Sequence, residues 1–170
     1  DNKLNNNSLD ELLLPIFTIL CKDDDDNNSD ENNRRSANSE RMYVLLIIIL
    51  ILSTNPNFVP RIFNINEKDR NKPSNKREIP LKARELLKDR IKCKDIDKNT
   101  NLGNLCIAVC CRIISTNVER CQKNNEDARI NNNNHDNNND NKNDIDGVYL
   151  LTNCFAILNN ICLRTCNSNS

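Results

Sequence analysis

Eleven residues, Met42 to Leu52, form an apolar run without a break, and this run constrains the fold more than any other feature. It is too short to span a hydrocarbon core, which needs about 20 residues. It must therefore be buried by other parts of the protein. Ser39 in front of it is a plausible helix N-cap, and Asn55-Pro56 behind it is a stop signal. Its Ile residues would also suit a strand, but length and punctuation favour a helix, buried on all sides.

Four further blocks have the same character. Ser8 to Cys21 opens with Ser8 and Glu11, a capping-box spacing, and carries Pro15 inside its apolar run, where a kink or restart is expected. Pro80 to Cys93 begins with proline in a first helical turn. Its Leu81, Leu86, Leu87 and Ile91 favour one side and basic residues crowd the others, so it is expected to be the most exposed helix. Thr100 to Cys121 is apolar from Leu102 through Ile114. Gly103 sits in its first turn, where a close approach of another element would explain it. In Gly147 to Cys166, Tyr149, Leu150, Cys154, Ile157, Leu158, Ile161 and Cys162 recur at helical spacing. Asn153 and Asn159 interrupt that block, and buried amides there are expected to bind a neighbouring helix or turn.

Asparagine supplies about a fifth of the 170 residues, mostly in runs between these blocks. Such tracts bury too little apolar area to offset the entropy of ordering them. Residues 22–38 and 122–146 are accordingly expected to be disordered inserts, and residues 64–79 a loop. Long loops between helices cost little extra free energy, so the inserts mark helix junctions and the whole of 1–170 is part of one helical domain. The fold class is all-α. Blocks that are apolar on nearly every face suit the inner layers of a helical-repeat, solenoid-like array, of which this chain would be a fragment. The first residue is Asp rather than Met, which fits an internal piece.

The formal net charge is zero and aromatic residues make up 4% of the chain, which argues against a nucleic-acid partner. The nine Cys are an odd number. Cys106 with Cys110, and Cys162 with Cys166, are four residues apart and share a helix face. Buried thiols pack as small hydrophobes, so these read as core residues of a reduced, cytosolic protein. A zinc site built from the two pairs is disfavoured, because no C-x-x-C knuckle exists. His135, the single histidine, lies in an Asn tract that cannot orient a catalytic base for Cys154 or any other thiol. Asp23 to Asp26 lacks EF-hand spacing, and no glycine-rich phosphate loop is present. The glycosylation sequons at Asn6 and Asn27 would matter only in a lumenal protein. No catalytic, cofactor-binding or metal residue is expected, and no cofactor or small-molecule substrate.

Three segments carry a family resemblance. Met42-Tyr43-Val44 through Ser53, followed by Asn57-Phe58 and Arg61-Ile62, is similar to the long apolar helix of the dymeclin family and the turn after it. Asn101-Leu102-Gly103-Asn104-Leu105 through Val109 resembles the family's Ser-Leu-Gly-Ser-Leu helix start. Tyr149-Leu150-Leu151-Thr152-Asn153-Cys154 through Asn160 resembles its Tyr-Leu-x-Thr-Asn-Cys-Leu-Ala-x-Leu-Ala-Asn stretch. Phe155 and Asn159 replace the family's Leu and Ala, and Thr54-Asn55 stands where acidic residues are usual. The resemblance implies a helical protein without catalytic activity. It would work through protein partners and peripheral association at the cytosolic face of the Golgi, in Golgi organisation and intracellular trafficking. The alternatives are a relative in the wider HID-1 group of secretory-pathway proteins, or a membrane-anchored helical protein using residues 42–52.

Overall fold

The computed structural model describes residues 7–21, 31–63, 79–91, 96, 100–130 and 140–167. Those residues are all-α. They form α1 (Asn7–Leu20), α2 (Glu31–Thr54), α3 (Phe58–Ile62), α4 (Leu81–Ile91), α5 (Leu102–Ile130) and α6 (Asp140–Asn167), with no strand among them.

The local signals place most helix ends. At the end of α2 the Ser53 and Thr54 hydroxyls donate back to the carbonyls of Leu50 and Ile51, each at 2.7 Å. Asn55 Oδ1 then accepts the Asn57 N–H at 2.9 Å, an Asx turn around Pro56. Asn101 caps α5, its Oδ1 accepting the Asn104 N–H at 2.8 Å. Pro15 lies inside α1, which continues through it as one helix. Proline at that point removes one helical hydrogen bond and crowds the Glu11 carbonyl, and it sits at an exposed position. The helix starts at Asn7, one residue before the Ser8 expected to cap it.

The expected inserts are shorter than their composition suggests. Glu31–Asn38 belong to α2, Gln122–Ile130 to α5 and Asp140–Asp146 to α6. Extending an existing helix fixes one residue for one hydrogen bond, whereas starting one is costly. Asn therefore costs only about 0.7 kcal/mol per position relative to Ala when it follows or precedes a strong apolar segment. Residues 22–30, 64–78 and 131–139 lie outside the described residues, as does Cys93.

The core is formed where α5 and α6 meet α1 and α2. Leu13, Ile16, Phe17 and Leu20 supply the α1 stripe, and Leu105, Cys106, Val109, Cys110 and Ile113 that of α5. Leu150, Cys154, Ile157 and Ile161 complete it from α6. α2 and α6 run parallel, because rising numbers in one meet rising numbers in the other: Tyr43 lies against Tyr149, Ser53 bonds Asn160 and Thr54 bonds Arg164. α5 and α6 run antiparallel, with Cys110 beside Cys154 and Asn117 beside Gly147. α3 packs against α2, α5 and α6, while α4 packs on α1 and α5. Arg90 fixes α4 to α1, its guanidinium donating to the Thr18 carbonyl at 2.8 Å.

Gly103 is where the expected close approach occurs. A Cβ there would stand 2.5 Å from the tip of the Phe63 ring, so only glycine lets the residue after α3 seat against the start of α5.

α2 differs from its expectation. Leu46, Ile49 and Ser53 are buried, but Val44, Ile48 and Ile51, on the opposite face, are exposed, Ile51 by 63%. No element among the described residues covers that side, so α2 is an outer helix of the bundle. In α4 only Leu87 and Ile91 are buried, while Leu81 and Leu86 face solvent. Cys162 and Cys166, expected in the core, are exposed together with Tyr149, because the core stripe of α6 runs through 150, 154, 157 and 161.

Candidate functional site

Three polar features tie α6 to its neighbours. The first is at the ends of α2 and α6. Asn160 Nδ2 donates to the Ser53 hydroxyl at 2.9 Å, and Ser53, fully buried, donates its own O–H to the Leu50 carbonyl. One turn on, Arg164 donates to the Thr54 carbonyl at 2.6 Å. That carbonyl belongs to the last turn of α2, where a cation also suits the helix dipole.

The sequence points to Asn153 and Asn159 for this role, and neither takes it. Asn159 is exposed, and the Nδ2 of Asn153 is buried without an acceptor among the described residues. The helical phase explains the difference. Asn160 lies three residues after Ile157 on the side turned toward α2, whereas Asn159 points away from the core. Ser53 gives no apolar-pattern signal, and only its position at the helix end could have marked it.

The second feature is a group of three thiols across the α5–α6 contact. Cys106 and Cys110 lie one turn apart on α5, and Cys154 meets them from α6, all three almost fully buried. The Cys154 thiol is held well above the ordinary thiol range, first by its hydrogen bond to Cys110 and then by burial. Cys110 is also pushed far up, chiefly by its hydrogen bond with Cys106 and by burial, against a lowering contribution from Cys154. A nucleophilic cysteine needs a stabilised thiolate, and this arrangement stabilises the neutral forms of Cys110 and Cys154.

All eight described cysteines are free. The pairs Cys106/Cys110 and Cys162/Cys166 do not meet, since the first is buried and the second faces solvent. No group of three or more His, Cys, Asp or Glu among the described residues could hold a metal ion. His135, Asp23 to Asp26, Asn6 and Asn27 lie outside the described residues.

The third feature is the outer surface of the α2/α6 pair. Val44, Ile48 and Ile51 on α2 and Val148, Phe155 and Leu163 on α6 are exposed, Phe155 by 57%. At one end the rings of Tyr43 and Tyr149 meet edge to face, with centroids 6.1 Å apart and planes at 65°, which joins the two helices' outer sides.

A shallow cleft lies between the end of α2 and the start of α3, lined by Leu9, Leu52, Asn55, Asn57, Phe58 and Arg61. Its volume of about 140 Å³ is well below the 300 Å³ or so at which pockets begin to enclose a small-molecule ligand. The surface of α2 and α6 is therefore a better candidate for contact with another macromolecule than the cleft is for a substrate.

α5 contains the one stretch among the described residues long and apolar enough to cross a membrane by length and composition, Leu102–Lys123. Its Leu105, Cys106, Val109, Cys110 and Ile113 face is buried inside the bundle. Residues 42–52 do not form such a stretch.

No curated protein and no solved structure matches the chain. The family model described as "Dymeclin: Dyggve-Melchior-Clausen syndrome protein" matches residues 3–167. That match takes in all six helices and the polar tracts between them, and the chain belongs to the dymeclin family.

Proposed function

We propose that the chain is part of a non-catalytic helical scaffold that serves Golgi organisation and intracellular trafficking. It works through protein contacts at the cytosolic face of the membrane, with peripheral rather than integral attachment. The observation that carries this reading is the family match over residues 3–167. The site geometry supports it. The buried Cys110 and Cys154 thiols favour their neutral form, and the wide exposed surface is apolar. Such surfaces mark interaction sites on helical proteins. A helical-repeat architecture follows from the same reading, with further helices extending the bundle.

The test is depletion of the protein from cells, with Golgi morphology and the rate of secretory cargo export as readouts. Dispersed Golgi stacks and slowed export, restored by re-expression, support the proposal. Normal Golgi morphology and normal export after complete depletion exclude it. Carbonate extraction separates the peripheral reading from a membrane anchor: a peripheral scaffold leaves the membrane and an anchored protein stays.

A further inference from the structure

Two thiols face one another between α5 and α6, and the register of the helices puts them there. Asn117 Oδ1 lies 3.5 Å from where a Cβ on Gly147 would stand, so the two helices meet at that level. Two turns back along α5 and two turns on along α6, seven residues each way, stand Cys110 and Cys154. In an antiparallel pair those positions are again opposite. Both side chains are buried, 1% and 0% exposed, and both thiols are free. Cys106 does not compete for the same bond. It shares one helix with Cys110 at four-residue spacing, where Cβ atoms stay about 5–6 Å apart, and a disulfide needs about 3.8 Å. Cys111, Cys121, Cys162 and Cys166 are all on the outside.

We propose that Cys110 and Cys154 form a redox latch: a hydroperoxide converts them to a disulfide that fixes α6 to α5 once the contact between the helices has opened and closed again. In the opened contact one thiol gives its proton to water, and its thiolate attacks the O–O bond of the peroxide. That sulfur becomes a sulfenic acid, and the hydroxide that leaves takes up the proton as water. On closure the second sulfur displaces the sulfenic oxygen, which departs with the second thiol's proton as water while the S–S bond forms. Two thiols have then lost two electrons and two protons, and one peroxide has become two waters.

The closed contact is inert, because burial and the hydrogen bonds among the thiols hold Cys110 and Cys154 in the neutral form. Opening is therefore the gate and peroxide the trigger. The bond closes a loop of about 40 residues and removes that freedom from the opened chain. α6 also packs on α2 and α3, so the reduced protein can release α6 from all three neighbours and the oxidised protein cannot. The latch goes beyond the trafficking proposal and does not depend on it, since it is measured on purified protein.

The test treats the whole reduced chain with a brief pulse of N-ethylmaleimide, which blocks the exposed thiols, and then with hydrogen peroxide. Peptide mapping without reduction should find Cys110 joined to Cys154. The linked protein should keep its far-UV circular dichroism and melt at least about 5 °C higher, and dithiothreitol should reverse both the link and the shift. Urea below the unfolding transition should speed the linking, because it raises the open population. Cys106→Ala should still link, and Cys154→Ala should not.

No linked peptide, with or without urea, overturns the proposal. So does oxidation of Cys110 and Cys154 to sulfinic acids without a bond, or a bond from either to Cys106 or Cys21 instead. A Cys110–Cys154 bond that lowers the melting temperature would show that the native contact does not fit it, and a linking rate indifferent to urea would show that opening is not the gate. Either result equally overturns the latch, and the wild-type chain alone decides them whether or not Cys154→Ala folds.

Discussion

Asn160 reaches across 107 positions of sequence to donate its side-chain amide to the buried hydroxyl of Ser53 at 2.9 Å. The bond sits at the parallel seam of α2 and α6 and has a third member, the Leu50 carbonyl, at its far end. Removing the hydroxyl leaves the amide short of an acceptor in a place largely closed to water. Ser53→Ala should cost about 1–2 kcal/mol in urea unfolding. Adding Asn160→Leu should recover part of that loss, and the non-additivity measures the coupling. Additive costs would show that the two side chains act separately.

Gly103→Ala should destabilise the chain despite the better helix propensity of alanine. The propensity gain is at most about 1 kcal/mol, and the new methyl would drive the Phe63 ring from its seat at a cost of about 1–3 kcal/mol. Phe63→Leu in the same chain shortens the opposing group and should convert Gly103→Ala from harmful to neutral or stabilising. Thermal unfolding of the four variants in the cycle decides it.

Asn153→Leu should stabilise. Its amide nitrogen is buried without an acceptor among the described residues, so the polar group is a burden to the fold. Replacing it with an apolar side chain of similar size should gain about 0.5–2 kcal/mol in urea unfolding. A loss instead would show that a water satisfies the amide.

Raising the pH should weaken the fold through Cys110 and Cys154. Both thiols are held above their ordinary range when folded and titrate near 8.5 when unfolded. Above that value the unfolded chain loses protons that the native chain keeps, so stability falls as pH rises. Each thiol should cost about 1–1.5 kcal/mol between pH 7.5 and 9.5. Cys154→Ala lowers stability at neutral pH by leaving a small cavity, and should reduce the slope of stability against pH.

Thiol reactivity should divide along the same geometry. A brief pulse of maleimide on the native protein should label the exposed Cys111, Cys121, Cys162 and Cys166. The buried Cys21, Cys106, Cys110 and Cys154 should react only as the protein opens. Peptide mapping reads the pattern directly, and rapid labelling of Cys154 would contradict the thiol cluster.

The sequence and the structure agree where a local signal is strong. The stop at Asn55-Pro56, the glycine that admits Phe63 and the core rhythm of Leu150, Cys154, Ile157 and Ile161 can all be read from neighbouring residues. What fails is which side of an apolar helix is covered. Met42 to Leu52 is equally greasy all round, so its pattern holds no information about direction, and only the placement of α6 leaves Val44, Ile48 and Ile51 outside. The same limit misplaces Cys162 and Cys166. Their four-residue spacing puts them on one face without saying which. The polar bridge is hidden for a related reason: Asn159 and Asn160 are adjacent and chemically identical, and one residue of helical phase decides which of them meets Ser53.

The parallel pairing of α2 with α6 also bears on how the protein is made. Parallel helices cannot be neighbours in the chain by way of a short turn, and here α3, α4 and α5 are all synthesised between them. A ribosome adds about 5–20 residues per second, so the greasy side of α2 waits on the order of ten seconds before its partner emerges. During that interval α2 has only α1 and α3 of its partners to cover it, and a product truncated before α6 should aggregate.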